Sequence, residues 1–486
     1  MSGSFVVGLA PLWPLVGAVM IWLSGSLPNV REGVTLVTAV VLLLLVASLA
    51  PAVMAGERPA AELFEVLPGV RLAFEVEPLG MLFALIASFL WLPNSLYAIG
   101  YMRAHHEQNQ TRFYVCFAIA LSSAVGVAFA ANLFTLFLFY ELLTISTYPL
   151  VTHAGTDKAR RSGRVYLGVL IGTSIAFQLL AIMITWAVAG TMEFTVGGIL
   201  AGNAEPATIG ILFALYMFGV GKAATMPFHR WLPAAMVAPT PVSALLHAVA
   251  VVKAGVFTVL KIVIYVFGLD LMTGAHPGQW LTWLAAFTLL TASLVAMTKN
   301  NLKARLAYST ISQLAYIVLA AALATPAAIV GGGMHMLMHA FGKITLFFCA
   351  GAIIITAHKE DISDMRGLGR AMPVTLFAFF IGALSVIGLP PFGGAWSKWY
   401  IALGAVEAEQ LIFVVVLMVS SLLNVAYFIP VVVRGFFPGE RPTAFDDGVK
   451  EAPLACLVPI VFTAAMCLVL FVFPDPAYRL LSQLVP

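Results

Sequence analysis

Fourteen apolar runs divide this chain, each at least as long as the ~20 residues a helix needs to cross ~30 Å of hydrocarbon. They lie near 5–27, 33–54, 79–99, 112–131, 133–152, 164–188, 207–227, 240–268, 279–298, 304–324, 327–357, 372–404, 410–434 and 452–474. A chain that is 61% hydrophobic and 10% charged, with a mean hydropathy of +1.00, is unlike a soluble domain, which is about a quarter charged. The fold class that follows is an all-α polytopic membrane protein of about fourteen transmembrane helices. The first run, from Phe5, has no basic segment before it and more spans after it, so it reads as a first helix and not a cleaved signal. Cys116, Cys349, Cys456 and Cys467 show no metal spacing and are expected to be small packing residues. The sequence has no GxGxxG, P-loop, cysteine cluster or haem motif. No cofactor, bound metal, nucleotide or nucleic-acid partner is expected.

Lysine and arginine in the connections set the orientation. The side with both termini and the loops after even-numbered spans has three: Arg58, Arg71 and Arg479. The other side has seventeen, including Lys158, Arg160, Arg161, Arg164, Lys299, Lys303 and Arg305. Both termini are therefore expected outside a bacterial or archaeal plasma membrane. The acidic, weakly alternating segment 55–78 would lie outside too, either as a small hairpin or as a solvated loop.

Glycine and proline interrupt three runs. The seventh runs into GVGKAATMP (219–227), the eighth opens on Pro239-Thr240-Pro241, and the twelfth contains GLPPFGG (388–394). Proline removes an amide donor and clashes with the preceding turn, so Pro227, Pro239, Pro241, Pro390 and Pro391 are candidate helix breaks. Such breaks persist only where the backbone is buried in protein or lines a wet cavity. The seventh and twelfth spans are five apart, and each has a lysine beside its break, Lys222 and Lys398. That pairing points to two inverted five-helix repeats. The expected division is 1–111 (helices 1–3 with the acidic loop), 112–268 (first repeat), 279–434 (second repeat) and 435–486 (last helix).

Inside the runs the sequence places one carboxylate, Glu141, five lysines (Lys222, Lys253, Lys261, Lys343 and Lys398) and three histidines (His247, His335 and His339). A charge at mid-bilayer costs ~2.5–3.5 kcal/mol, and such residues mark ion or proton paths. Beside a lysine, Glu141 would gain ~4 kcal/mol at 4 Å and an effective dielectric of about 20. The pair is then either a switchable element or a static staple. Surplus lysines favour the first reading, since burial disfavours their charged form and lets them pass protons on. Lys261 lies near a helix end and is expected to snorkel. Lys303, at the start of the tenth span, is either a positive-inside anchor or a proton entry. His335, His339 and Lys343 are spaced i, i+4, i+8, a ladder on one face with ~6 Å between rungs. Histidine shuttles protons near neutral pH. His247 is either a relay or a donor to a carbonyl.

Several stretches resemble the antiporter-like subunits of the Mrp cation/proton antiporter and respiratory complex I superfamily. They are FYELL (139–143), KAATMPFHRWLP (222–233), APTPVSALLH (238–247) with VKAGV (252–256), LAYSTISQL (306–314), HAFGK (339–343) and GLPP (388–391). The resemblance covers roughly 75–430. It implies fourteen helices, two inverted repeats and a hydrated axis in the membrane plane. On that pattern Glu141 and Lys222 form the coupling pair of the first half-channel. Lys253 bridges to the centre, His335 and His339 relay inward, and Lys398 ends the second half-channel. Chain length and the stretches 148–153 and 160–164 look most like the Mrp D subunit.

The function expected is proton translocation within a multisubunit Na+/H+ antiporter. Its partners would be other membrane subunits, including a longer paralogue, with Na+ or K+ as the exchanged cation. The alternative is a proton-pumping subunit of an NADH-quinone oxidoreductase or a membrane-bound hydrogenase.

Overall fold

A computed structural model of the chain describes residues 3–245, 249–439, 445 and 448–485. It begins with α1 (Gly3–Leu23) and α2 (Pro28–Met54), then a hairpin of β1 (Ala60–Leu67) and β2 (Val70–Glu75). Next come α3 (Pro78–Ala104), α4 (Gln110–Ala128), α5 (Leu133–Val151), α6 (Asp157–Thr173), α7 (Leu180–Ala189), α8 (Pro206–Gly219), α9 (Trp231–Ala234), α10 (Thr240–Ala244), α11 (Val251–Ile262) and α12 (Leu269–Ala275). The remainder is α13 (Gln279–Thr298), α14 (Leu302–Leu323), α15 (Pro326–Ala357), α16 (Leu368–Ala371), α17 (Pro373–Ile387), α18 (Gly394–Glu407), α19 (Leu411–Phe436), α20 (Leu454–Val472) and α21 (Asp475–Ser482).

Eleven helices among the described residues are long and apolar enough to cross a bilayer, α6 and α7 counting as one through a π-helical turn at Ser174–Leu179. Three further spans are divided. The seventh is α8 with an irregular continuation, the eighth comprises α10 and α11, and the twelfth is α17 followed by α18. These are the three runs that glycine and proline interrupt, and with the eleven they make the fourteen expected. The acidic segment 55–78 contains the antiparallel hairpin and is not merely a loop.

Loops gather at two ends. At the hairpin end Gln483 donates to Met54 O, and Arg71 pairs with Glu193. At the basic end Arg31 reaches Gln110, Arg112 reaches His153 O, and Arg434 reaches Ile362 O. Two asparagines make corresponding turns at opposite ends. Asn132 caps α5 by accepting from Thr135 N (2.8 Å), and Asn301 caps α14 by accepting from Ala304 N (3.1 Å). Each also bridges to the loop after the following span, Asn132 to Glu193 and Asn301 to Asp361. The half-helices α8 and α17 likewise enter from opposite ends. The two halves are thus inverted relative to each other.

Two expectations are corrected. Glu141 does not stand alone, because Glu77 and Glu32 are 3% and 4% exposed. Glu77 caps α3, accepting from Leu79 N (2.7 Å) and Gly80 N (2.8 Å). Glu32 pairs with Arg31 and Arg103. Both sit at helix starts, where an apolar-run reading assigns them to loops. Lys261 does not snorkel, because every residue of α11 is buried. With no path to water, its ammonium donates to Ala130 O (2.8 Å) and stands 3.4 Å from Glu77 Oε1.

Candidate functional site

At the first break α8 ends at Gly219, and the chain turns through Gly221–Ala223. Gly255 of α11 packs on this turn so closely that a Cβ there would lie 2.3 Å from Lys222 C. Lys222 is fully buried. Its Nζ donates to Tyr140 O (2.9 Å) and Thr144 Oγ1 (2.6 Å), and lies 3.2 Å from the centroid of the Tyr140 ring. Its backbone N donates to Tyr140 Oη (3.1 Å). Tyr140 and Thr144, four apart on α5, thus hold the lysine with uncharged oxygens.

Among the described residues no ion pair joins Glu141 to Lys222. The two are therefore not in direct contact, and Glu141 acts on Lys222 only through space. The reason is helical geometry: Glu141 shares a face with Leu138 and Ile145, which are exposed, while Tyr140 and Thr144 face the break. Glu141 is partly exposed, and its Oε1 has no hydrogen-bond partner.

The centre is built on α15, which runs unbroken through His335, His339 and Lys343. Lys253 Nζ lies 2.6 Å from His339 Nδ1. The His339 and His335 rings stack at 5.8 Å, and Tyr316 stacks on His335 at 5.4 Å. His335 Nδ1 lies 2.9 Å from Ser397 Oγ. Lys343 turns elsewhere, donating to Ser309 Oγ (2.7 Å), which also accepts from Tyr427 Oη (2.9 Å). The ladder's three members therefore share a face but not one line of contacts.

At the second break α17 ends at Gly388 with φ +89°, a value that favours glycine. Lys398 Nζ donates to Ile387 O (2.8 Å), a carbonyl freed by the break, and to Ser421 Oγ (3.1 Å). It also reaches Tyr316 Oη at 3.5 Å. Lys303 is buried at the basic end and donates to Ala238 O (2.6 Å), just before Pro239. Pro241 lies inside α10, Met226–Pro227 and Pro390–Pro391 are cis, and all five candidate break prolines lie at or beside divided spans. His247 lies outside the described residues.

The line Lys253, His339, His335, Tyr316, Lys398 thus joins the eighth span to the twelfth. Sequence reasoning missed the neutral partners of these buried groups: Tyr140 and Thr144 at the first break, Ser309 beside Lys343, and Tyr316, Ser397 and Ser421 along the line. Hydroxyls at helical spacing inside apolar runs were the available signal.

The family described as NADH:quinone oxidoreductase/Mrp antiporter, transmembrane region, matches residues 130–424. This chain belongs to that family. The N subunit of an NADH-quinone oxidoreductase from Desulforudis audaxviator is 34% identical over 418 residues, covering 82% of each chain. The large A polypeptide of a Na+/H+ antiporter from Alkalihalophilus pseudofirmus is 31% identical over 444 residues, 84% of this chain and 53% of that one. The chain therefore spans about half the length of that antiporter relative, and also of chain 5 of the Synechocystis NAD(P)H-quinone oxidoreductase, where it covers 52%. In the Mrp complex from Dietzia sp. DQ12-45-1b, one chain superposes with a TM-score of 0.84 at 22% identity, covering 98% of this chain and 97% of that one. A chain of an archaeal membrane-bound sulfane sulfur reductase superposes with a TM-score of 0.87 at 24% identity, covering 98% and 96%. At these identities the superpositions establish the fold of this family member.

Proposed function

We propose that this chain is a proton-translocating subunit of a multisubunit monovalent cation/H+ antiporter, with Na+ the expected cation. The observation that carries the reading is the line from Lys253 through His339, His335 and Tyr316 to Lys398. Two lysines, two imidazoles and a phenol within a membrane bundle are groups that take up and release protons. Gln178 and Gln313 support it, since their buried amides have no hydrogen-bond partner among the described residues. A buried polar group without a protein partner is one that an ordered water can satisfy. Glu141, Lys222 and Lys303 are assigned to the first half-channel and its entrance, and Lys343 with Ser309 and Tyr427 to a side arm. The outward face of Glu141, between Leu138 and Ile145, suits contact with another membrane subunit. Both termini and the hairpin are assigned to the external face on the seventeen-to-three Lys/Arg asymmetry. The length and the stretches 148–153 and 160–164 favour the Mrp D position.

A second reading is a proton-pumping module of a redox complex. It is favoured by the N-subunit relative from the NADH-quinone oxidoreductase, which matches this chain over 82% of both lengths. The deciding experiment reconstitutes the purified complex in vesicles. Na+-driven proton movement without any electron donor supports the antiporter. Proton movement that starts only when NADH or another reductant is supplied replaces it with the redox module.

A further inference from the structure

A second line of charged groups leaves α11 in the direction away from the histidines. Lys261 lies eight residues beyond Lys253, about 12 Å along the helix, and is 1% exposed. Its ammonium stands 3.4 Å from Glu77 Oε1, and Glu77 Oε2 accepts from Tyr265 Oη at 3.0 Å. The Arg58 guanidinium lies over the Tyr265 ring, 5.7 Å from its centroid, and pairs with Glu75 at 3.7 Å. Arg58 and Glu75 are each one-third exposed, and Arg58 lines a cavity of about 400 Å³ with Gly56, Glu57, Pro78 and Gln483. On the same hairpin, Arg71 pairs with Glu62 and with Glu193, each at 3.1 Å. Burial pushes the Glu75 carboxyl above its ordinary range, opposed by Arg58 and Lys261.

A staple between α3 and α11 does not require these charges. The cap on α3 needs an oxygen acceptor, which asparagine or serine supplies without a charge. A buried Lys–Glu pair gives little net stability over an apolar pair of the same volume. What the charges add is a chain of proton-exchanging groups from a fully buried lysine to an open polar cavity.

We propose that Lys261, Glu77 and Tyr265 form a branch carrying protons between the Lys253 region and the cavity that Arg58 lines on the hairpin side. In each step an N–H bond of the Lys261 ammonium breaks and an O–H bond forms at Glu77. The resulting acid releases its proton to the cavity beside Arg58, Glu75 and Glu57, with Tyr265 Oη bonded to the same carboxylate. The Lys261 amine is then reprotonated from the Lys253 side. This branch rests on the proposed proton axis.

The test uses the intact complex in vesicles, with transport normalised to the amount assembled. Glu77→Gln keeps the capping oxygen and the volume. Lys261→Arg keeps the positive charge, so a staple survives it, but arginine does not release its proton. Each variant is expected to lower coupled proton movement about tenfold or more. A wild-type rate in either one overturns the branch. Lys398→Arg in the same preparation separates the two ideas. If it loses transport while Glu77→Gln does not, the axis stands and the branch fails. If it too runs at the wild-type rate, Lys398 is an electrostatic fixture and the axis loses its outer end, and the branch stands or falls on Glu77→Gln and Lys261→Arg alone. Should neither Glu77→Gln nor Lys261→Arg assemble, Tyr265→Phe removes a single hydroxyl and decides the matter. Loss of transport supports the branch, and a wild-type rate overturns it.

Discussion

The two helix breaks are built alike and partnered differently. Each presents a lysine to the ring of a tyrosine on an equivalent helix, Lys222 to Tyr140 on α5 and Lys398 to Tyr316 on α14. Lys222 is held by a carbonyl and a hydroxyl of α5, one residue from the carboxylate of Glu141. Lys398 is held by the freed carbonyl of Ile387 and by Ser421, and through Tyr316 it touches the histidine line. On the proposed reading the first break responds to a charge on the bundle's outer face. On the same reading the second exchanges protons with the centre. One backbone device, repeated, serves two electrostatic tasks because the neighbours differ.

Removing the carboxylate should have the largest effect. Glu141→Ala leaves Lys222 with no acidic group on α5, and coupled transport should fall about 100-fold or more with assembly retained. Normal antiport by a fully assembled variant would erase the proposed difference between the breaks.

The arginine variants come next. Lys222→Arg and Lys398→Arg keep the charge but hold their proton, and each should cost ~10–100-fold in vesicle transport. A Lys398→Arg complex working at full rate would make Lys398 an electrostatic fixture and leave Lys222 the only relaying lysine of the two.

His339→Ala should slow transport about tenfold with little loss of folded protein, since it opens the line between Lys253 and His335. Chelators should leave the rate unchanged. Stoichiometric zinc that is required for transport would replace the relay with a metal site.

The tyrosines give a smaller and finer contrast. Tyr316→Phe removes the hydroxyl that reaches Lys398 and should slow transport a few-fold. Tyr140→Phe leaves the backbone carbonyl that holds Lys222 Nζ, so its effect should be less. A reversed order would show that the Tyr140 hydroxyl, and not its carbonyl, supports the first lysine.

The orientation prediction involves no change in rate. Single cysteines at Ser2 and Glu62 should react with an impermeant thiol reagent on intact cells, and one at Ser162 only after lysis. Labelling of Ser162 from outside would exchange the directions assigned to the two half-channels.

Much of this was legible because lipid leaves the backbone few choices. Spans must be helical, so apolar length locates them. Glycine and proline locate the exceptions, and the three divided spans fall where 219–227, 239–241 and 388–394 place them. The titratable groups stood out because so few charges occur in those runs. Less legible were the groups at span ends. Glu77 and Glu32 read as loop residues, and Lys261 read as a snorkelling one. A one-dimensional hydropathy pattern carries no information about what packs over a helix end.

The sequence by itself determined the number of spans, which of them break, and which side chains bring ionisable groups into the bundle. These depend on local composition, on proline's missing donor and on the cost of burying charge. Only the tertiary structure decided the partners. It turned Glu141 away from Lys222, because a step of about 100° per residue puts neighbours on different faces. It set Lys253 against His339 across 86 positions of sequence, and it closed Lys261 onto Glu77. Hydrogen bonds and ion pairs act over a few ångströms in space, and which groups come that close depends on how the helices pack.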